Sequence, residues 1–413
     1  MSAMRVLLTT SGSAGHFLPL VPFARACADA GHEVRVAAQR SRAAIVERTG
    51  LPFAPFDDRP PAQFGPVMGT LAQLRAGEAN VRMVSEVFGR IDARTALPGL
   101  LETIGAWRPD IVVSESTEFA GALAAELHGI AHARVPLGLL TVEEWALGVT
   151  AAALDDVRAG AGLPADPGAQ RLRAAPRLTS VPAGLDDVPT DWPSPVHRFA
   201  SEPAGPVGSL PDWWRGSSDP LVYVTFGSVA AALTYFPSLY RATIDALAPL
   251  RVRLLVTTGN DCDPAELGSL PANVHVERWV PQDTVAHHAA AIVCHGGYGT
   301  TLGALGQGLP LVVVPLQSTD QWHNARRVAE IGAGISLTDG PDSDRLALDD
   351  PGPEVTTALP DAVRRVLDDP GYREAAQRIA AEMAALPPIG EASGVLEALA
   401  EGPTRKASHS EVA

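Results

Sequence analysis

The sequence predicts an α/β protein made of two doubly wound halves, each a parallel sheet with helices on both faces. Short apolar runs alternate with segments of helical period, which is typical of such sheets. The chain has 413 residues, and one core rarely grows beyond about 250 to 300 residues. Both halves also open alike, with a strand that runs into a turn of small residues: LLTTSGSAG at 7–15 and YVTFGSVA at 223–230.

The elements follow in chain order from this alternation. In the first half, strands are predicted at 4–10, 33–38 and 110–114, and a helix at 18–30 that ends at Gly31. In the second half, strands are predicted at 221–228 and near 252–257, 273–277, 291–294 and 311–314. The segment at about 176–219 is rich in Pro, Gly, Ser and Asp and is interpreted as a linker.

The domain boundaries follow from these elements. The predicted first domain spans 1–205, including the start of the linker, and the second spans 216–385. A helix at 386–401 is expected to pack back on the first domain. The polar tail at 402–413 is expected to be disordered.

Composition excludes several classes of function. A net charge of −15 and the lack of any Lys/Arg run argue against nucleic acid as a partner. The three cysteines are widely spaced, so neither a disulfide framework nor a zinc site is predicted. No apolar run approaches the about 18 residues of a membrane span, and no signal peptide is predicted. A cytoplasmic protein, monomeric or homodimeric, is expected.

The stretch CHGGYGTT at 294–301 predicts an anion site. Gly296, Gly297 and Gly299 let the backbone approach a ligand, and the helix that follows directs free N–H groups into the turn. His295 and Thr300 add side-chain hydrogen bonds that suit a diphosphate. A corner that merely packs tightly is the alternative.

The stretches on either side extend this site. In WVPQ (279–282), Trp279 offers a flat face for a base and Gln282 a paired donor and acceptor for a pyrimidine edge. In DQWHNA (320–325), Asp320 and Gln321 suit sugar hydroxyls. Taken singly, Trp279 is read more readily as core packing and Asp320 as a helix cap. Together they outline a nucleotide sugar.

The order WVPQ, HGGYGT, GLP (308–310), Pro315 and DQWHNA resembles the donor signature of nucleotide-sugar-dependent glycosyltransferases of the GT-B fold, especially the bacterial enzymes that glycosylate antibiotics. The resemblance implies two facing Rossmann-like domains with a cleft between them, a UDP- or dTDP-sugar donor, inversion at the anomeric carbon, and no cofactor or metal. The donor-binding residues that it implies are Ser228, Trp279, Val280, Gln282, His295, Gly297, Gly299, Thr300, Asp320 and Gln321.

One departure from the family pattern bears on the donor. Many UDP-sugar enzymes of the family carry a glutamate for the ribose hydroxyls eight residues after the histidine, where this chain has Gly303. A deoxyribose lacks the 2′-hydroxyl, so the departure favours a dTDP-sugar.

The catalytic base is predicted to be His16, in SAGHFLP just beyond the first strand. A histidine titrates near neutral pH, and the start of a helix disfavours its protonated form. In the family this position is the base, paired with an aspartate; here Glu115 stands in that place, and Glu118 is a weaker candidate. A solvated carboxylate that caps the following helix is the alternative for Glu115.

The acceptor is predicted to be a hydrophobic small molecule. The segment at 135–149 is interpreted as a loop more apolar than solvent would favour, with Trp145 as the best acceptor contact. Met83 and Phe88 are further candidates, although ordinary helix packing explains them as well.

Other readings are weaker. The first turn lacks the G-x-G-x-x-G of an NAD site, and no P-loop is present. The Asp-x-Asp strings at 261–263 and 342–344 lie beside Pro or Gly and are interpreted as turns rather than metal ligands. A sugar-nucleotide 2-epimerase and a catalytically silent partner of another transferase stay open as alternatives.

Overall fold

The first domain is built on a seven-stranded parallel sheet with strand order β3-β2-β1-β4-β5-β6-β7. The computed structural model describes residues 3–188, 191–201, 208–230, 233–338, 340 and 345–405. Its first seven strands are β1 (Arg5–Thr9), β2 (Glu33–Gln39), β3 (Phe53–Phe56), β4 (Ile111–Glu115), β5 (Ala131–Val135), β6 (Arg177–Thr179) and β7 (Val196–Arg198).

Helices cover both faces of this sheet, and their apolar sides close two cores against it. They are α1 (Ala14–Phe17), α2 (Val21–Asp29), α3 (Ala43–Glu47), α4 (Pro61–Leu71), α5 (Ala76–Arg82), α6 (Ala93–Trp107), α7 (Ala120–His128), α8 (Leu140–Gly160) and α9 (Gln170–Ala174), with 3₁₀ turns at Leu18–Leu20 and Arg40–Arg42. A π-helical segment at Met83–Asp92 joins α5 to α6. Such segments are rare and occur frequently at functional sites.

The second domain has a six-stranded parallel sheet with strand order β10-β9-β8-β11-β12-β13. Its strands are β8 (Leu221–Thr225), β9 (Arg253–Thr257), β10 (Val274–Glu277), β11 (Ala291–Cys294), β12 (Leu311–Val313) and β13 (Gly334–Ser336). Its helices are α10 (Gly227–Ala230), α11 (Ser238–Leu247), α12 (Gln282–His288), α13 (Tyr298–Gly306), α14 (Thr319–Glu330), α15 (Pro353–Asp368) and α16 (Pro370–Ala384), with a 3₁₀ turn at Pro264–Leu267.

The segment predicted as a linker, 176–219, is partly sheet. Its first half contains β6 and β7, which extend the first sheet beyond β5. β6 was not predicted because the strand has only three residues and begins with Arg177. The buried guanidinium of Arg177 lies 3.4 Å from the Glu143 carboxylate. A charge in a core position is not expected from hydrophobic pattern alone. β3 and β13 are likewise absent from the predicted strands.

The last described helix packs on the first domain. A 3₁₀ turn at Ile389–Glu391 leads into α17 (Ala392–Arg405), which is kinked at Gly402. Ala392 and Leu396 of α17 are buried with Val6 and Val113 in the core of the first domain. Of the predicted tail at 402–413, residues 406–413 lie outside the described part of the chain. Among the described residues, no helix combines the length and apolarity that crossing a bilayer requires.

Candidate active site

His16 lies at the edge of the first sheet where the strands end. β1 stops at Thr9, and the chain turns into α1, whose third residue is His16. Ligands of open α/β sheets bind at this edge. The His16 side chain is 26% exposed, and its ring centroid lies 5.7 Å from that of Phe88 in the π-helical segment. The sequence therefore placed this histidine correctly at the start of a helical run.

Glu115 meets His16 because β4 is the neighbour of β1 in the sheet. The register pairs Thr9 with Ser114, so Glu115 ends its strand at the same edge. Its Oε1 lies 3.4 Å from His16 Nδ1. The carboxylate also accepts the backbone N–H of Thr117 at 2.6 Å and of Ser11 at 3.3 Å. A fully buried carboxylate held this way is a partner for the imidazole and not a solvated cap.

Thr117 bridges this pair, which the sequence did not reveal. Its hydroxyl lies 2.9 Å from His16 Nδ1 and 3.0 Å from Glu115 Oε1. If the hydroxyl donates to the carboxylate, it accepts from an Nδ1–H of the imidazole. That arrangement leaves Nε2 of His16 with the lone pair that a base needs.

The charges around His16 counteract the effect of burial on its pKa. Desolvation lowers the pKa of His16, but the Glu115 carboxylate and its hydrogen bond outweigh this, so the pKa is raised above 6.5. This net direction differs from the one that the helix start alone suggested. Burial would raise the pKa of Glu115, yet the imidazole and the N–H donors lower it. Both directions favour a protonated imidazole beside an ionised carboxylate, so Glu115 stabilises the charge that His16 carries once it has taken up a proton.

Glu118 has a separate role. Its carboxyl accepts the Thr9 hydroxyl and the backbone N–H of Gly121, so it ties β1 to α7. Burial raises the pKa of Glu118 to about 7. The contacts therefore assign the carboxylate beside His16 to Glu115 alone.

A second ion pair borders His16 and was not predicted. Arg59 donates to Asp92 at 2.7 Å, and Asp92 is buried at the end of the π-helical segment. Burial raises the pKa of Asp92 to about 7, and the charges of Glu115 and His16 also act on it. Neither residue belongs to a recognisable motif, so neither could be singled out from the sequence.

In the second domain, the glycine turn follows β11 as predicted. Gly296 has φ +85°, and a Cβ there would come within 2.7 Å of Val313 Cγ1. The His295 ring lies against Gly297, where a Cβ would stand 2.4 Å from its Nε2. Burial lowers the pKa of His295 to about 4, so the ring is neutral. Asn324 ties the turn to α14 by donating to the Gly296 carbonyl at 2.8 Å.

The predicted diphosphate contacts surround the start of α13. Gly297 is the N-cap of α13, and Thr300 lies in its first turn. Gly299 is exposed, with open space where a Cβ would lie. The free N–H groups of this turn point out of the helix start. The side chain of Ser228 lies outside the described part of the structure.

The predicted base contacts lie beside this turn. Trp279 is 63% exposed, which overturns its reading as core packing and leaves its face available for stacking. Val280 packs against the core of the second domain. Gln282 begins α12, and its Nε2 donates to the Thr300 carbonyl at 3.4 Å. A Cβ on Gly303 would lie 2.6 Å from that nitrogen, so the Gln282 amide covers Gly303.

Asp320 faces the first domain across the cleft. Burial raises its pKa, while the Ser318 hydroxyl at 2.5 Å and the charge of His16 lower it. Reciprocally, Asp320 raises the pKa of His16. The charges of His16 and Asp320, one from each domain, thus act on each other.

Gln321, predicted as a sugar contact, has its amide oxygen bound to the loop before α14. It is 4% exposed, and its Oε1 accepts the backbone N–H groups of Leu316 at 2.8 Å and Gln317 at 3.2 Å. The preceding loop leaves these groups unpaired, and the glutamine supplies their acceptor. Its position next to Asp320 in the sequence concealed this structural role.

The predicted acceptor residues lie in different parts of the structure. Phe88 lies against His16, whereas Met83 packs at the domain boundary with Leu71 and Ala79. Trp145 is half-buried in α8, so most of the segment at 135–149 is helix and not loop. Buried residues recur there at helical spacing, at 143, 146, 147, 150, 153, 154 and 157.

The Asp-x-Asp string at 261–263 forms a turn, as predicted. Asp263 caps a 3₁₀ helix by accepting the Ala265 N–H at 3.3 Å. The string at 342–344 lies outside the described residues. No cluster of three His, Cys, Asp or Glu suited to a metal occurs in the part of the chain that the structure describes.

Comparison with known proteins shows what this chain is similar to. Residues 25–159 match the N-terminal domain of the erythromycin biosynthesis protein CIII-like family, and residues 241–399 match its C-terminal domain. The L-demethylnoviosyl transferase of Streptomyces niveus is 32% identical over 363 residues, which cover 83% of this chain and 87% of that protein.

Solved structures agree in fold. The glycosyltransferase SnogD from Streptomyces nogalater is 30% identical, with a TM-score of 0.72 over 97% of this chain and all of that one. The glycosyltransferase VinC, solved in complex with dTDP, is 26% identical, with a TM-score of 0.71 over 96% of this chain and all of that one. These likenesses confirm the predicted GT-B fold.

Proposed function

Because the chain belongs to the erythromycin biosynthesis protein CIII-like family of glycosyltransferases, we propose that it transfers a sugar from a nucleotide diphosphate donor to a hydroxyl of a hydrophobic natural product. The relatives act in antibiotic pathways, and their names describe sugar transfer. The observation that supports the proposal best is the pairing of His16 with the buried Glu115 carboxylate at the sheet edge, where the charge of Asp320 from the other domain also acts on the imidazole.

His16 is the proposed general base. Its Nε2 takes the proton of the acceptor hydroxyl as the oxygen attacks the anomeric carbon. Thr117 and Glu115 hold the Nδ1 side and stabilise the imidazolium that forms. Attack from the face opposite the leaving diphosphate inverts the anomeric centre. Phe88, in ring contact with His16, is the proposed wall for the acceptor.

The glycine turn is the proposed site for the leaving diphosphate. N–H groups at the start of α13, together with His295 and Thr300, stabilise the charge that develops on the departing oxygen. His295 is neutral, so it acts as a hydrogen-bond donor and not as a cation. This set of donors makes a metal unnecessary, and we expect activity to persist in excess chelator.

The proposed donor is a dTDP-sugar. The amide of Gln282 occupies the space over Gly303, so no carboxylate stands there to hold a 2′-hydroxyl. The dTDP complex of VinC supports the same choice. Trp279 offers its exposed face to the thymine, and Asp320 is the proposed sugar contact. The three free cysteines are all buried, which suits the proposed cytoplasmic location.

The test is a panel of dTDP- and UDP-sugars assayed with phenolic and macrolide acceptors. The expected products are a glycoside of inverted anomeric configuration, read by NMR, and one equivalent of nucleotide diphosphate. An epimerase would instead yield a new sugar nucleotide without acceptor. Absence of glycoside across the panel, from protein that binds dTDP, would count against the proposal.

A further inference from the structure

Three segments from the two domains meet beside the cleft, and we call this contact the domain joint: residues 71–80 of the first domain with 316–319 and 345–347 of the second. Ala347 N–H donates to the Leu74 carbonyl at 3.0 Å, and Ala76 N–H donates to the Arg345 carbonyl at 3.1 Å. Leu71, Ala79 and Ala347 bury a small apolar cluster there. The joint thus combines backbone pairing with an apolar contact across the domains.

Asn80 is the polar centre of the joint. It is 8% exposed, and its Nδ2 donates to the Gln317 carbonyl at 2.6 Å while its Oδ1 accepts the Thr319 N–H at 3.0 Å. A further bond from Nδ2 to the Ala76 carbonyl, at 2.8 Å, fixes the side chain on its own helix. Both oxygen and nitrogen of one amide are therefore used across the domain boundary.

These bonds supply a helix cap from the opposite domain. Thr319 is the first residue of α14, where backbone N–H groups lack partners within the helix. The N-cap residue, Ser318, donates its hydroxyl to Asp320 and makes no cap bond of its own. Asn80 takes over that task, so the start of α14 is complete only when the two domains are together.

We propose that Asn80 is a positioning residue that fixes Asp320 opposite His16. Asp320 follows the capped Thr319 directly, and Asn80 lies in α5, which continues into the π-helical segment that carries Phe88 to His16. One side chain thereby links the sugar side of the cleft to the acceptor side. This inference rests on the proposed function, since it assigns Asp320 to the sugar.

The first test is Asn80→Ala with Arg327→Ala as its matched control. Arg327 lies at the other end of α14 and also makes two hydrogen bonds across the domains, to the carbonyls of Leu185 at 2.9 Å and Gly184 at 3.0 Å. We expect Asn80→Ala to lower kcat about tenfold to a hundredfold, because misplacing a reacting group by about 1 Å can cost up to about a hundredfold. In Asn80→Ala, we expect the Kd for dTDP to stay near the wild-type value. In Arg327→Ala, we expect kcat to stay near the wild-type value.

A second variant tests the bond from the other side. Thr319→Pro removes the N–H that Asn80 accepts, and proline is well tolerated at the first position of a helix. In a double-mutant cycle, we expect the loss in kcat from Asn80→Ala and Thr319→Pro together to be smaller than the product of the single losses. Strictly multiplicative losses would show that the two residues act independently and would overturn the inference.

Hydrogen exchange provides a readout that needs no turnover. In Asn80→Ala, we expect amides of residues 319–322 to exchange faster than in the wild type, with no change in α13. Unchanged exchange overturns the cap even if no acceptor is ever found, which separates this failure from failure of the proposed function. Faster exchange with wild-type kcat at saturating substrates would refute the positioning role.

Discussion

Replacing Glu115 with glutamine should remove the base by moving one proton. Glu115 Oε2 accepts the Thr117 N–H at 2.6 Å, while Oε1 faces His16 Nδ1 at 3.4 Å. In Glu115→Gln, we expect the amide oxygen at the Oε2 place, because the Thr117 N–H bond there, at 2.6 Å, is much shorter than the Ser11 N–H bond to Oε1 at 3.3 Å. The NH₂ group then points at Nδ1 and donates where the carboxylate accepted. The imidazole proton is displaced to Nε2, which can no longer act as a base.

The size of the effect follows from the geometry. A comparable substitution in the catalytic triad of a serine protease lowers kcat by about 10⁴ through the wrong tautomer. Here Thr117 still accepts from Nδ1 at 2.9 Å, so part of the population keeps the active tautomer. We therefore expect a loss of about 10² to 10³ in kcat, or about 3 to 4 kcal/mol in the barrier.

The pH dependence has a defined sign. The base works when it is neutral, so kcat rises with pH through the pKa of His16, which Glu115 raises above 6.5 against the effect of burial. Without the carboxylate, burial dominates and the acidic limb of the profile moves to lower pH.

The measurement is glycoside formation by chromatography from pH 5 to 9, with Glu118→Gln as the control. Glu118 is a neighbouring buried carboxyl that bonds Thr9 and Gly121, so its loss leaves the tautomer of His16 unchanged. A Glu115→Gln enzyme with wild-type kcat and an unshifted acidic limb would refute the assignment of the pair.

Further predictions concern the base, the donor and a buried acid. His16→Ala should abolish glycoside formation while calorimetry still detects dTDP binding; retained turnover would rule out the base. Trp279→Ala should raise the Kd for dTDP about 5- to 150-fold, since stacking is worth about 1 to 3 kcal/mol, without lowering Tm, because the ring is 63% exposed. Thr300→Ala should also weaken the binding of dTDP, and an unchanged Kd for dTDP would contradict the diphosphate site. Burial raises the pKa of Glu118 from 4.5 to about 7, so the free energy of unfolding falls as pH rises through this range. Relative to the wild type, Glu118→Gln should raise the free energy of unfolding by about 3 kcal/mol above pH 7 and by little at pH 4.5. An equal increase at both pH values, measured by urea unfolding, would refute this expectation.

The sequence by itself determined the fold class and the parts of the site that lie on strand ends. Apolar runs at 291–294 and 311–313 mark buried parallel strands, because both faces of such strands are covered. His16 and His295 each follow a strand closely, so their place at the sheet edge could be predicted without coordinates. Local features of this kind depend on residues that are adjacent in the sequence.

Only the tertiary structure decided which groups act together. Thr117, Arg59 and Asp92 come to His16 from three separate segments, and Asn80 reaches Thr319 across 239 positions of sequence. The Gln321 side chain accepts a hydrogen bond from the loop before α14, although the residue follows Asp320 directly in the sequence. Such partners are chosen by the need of buried polar groups for hydrogen bonds, and that need depends on the packing of distant segments, which leaves no periodic trace in the sequence.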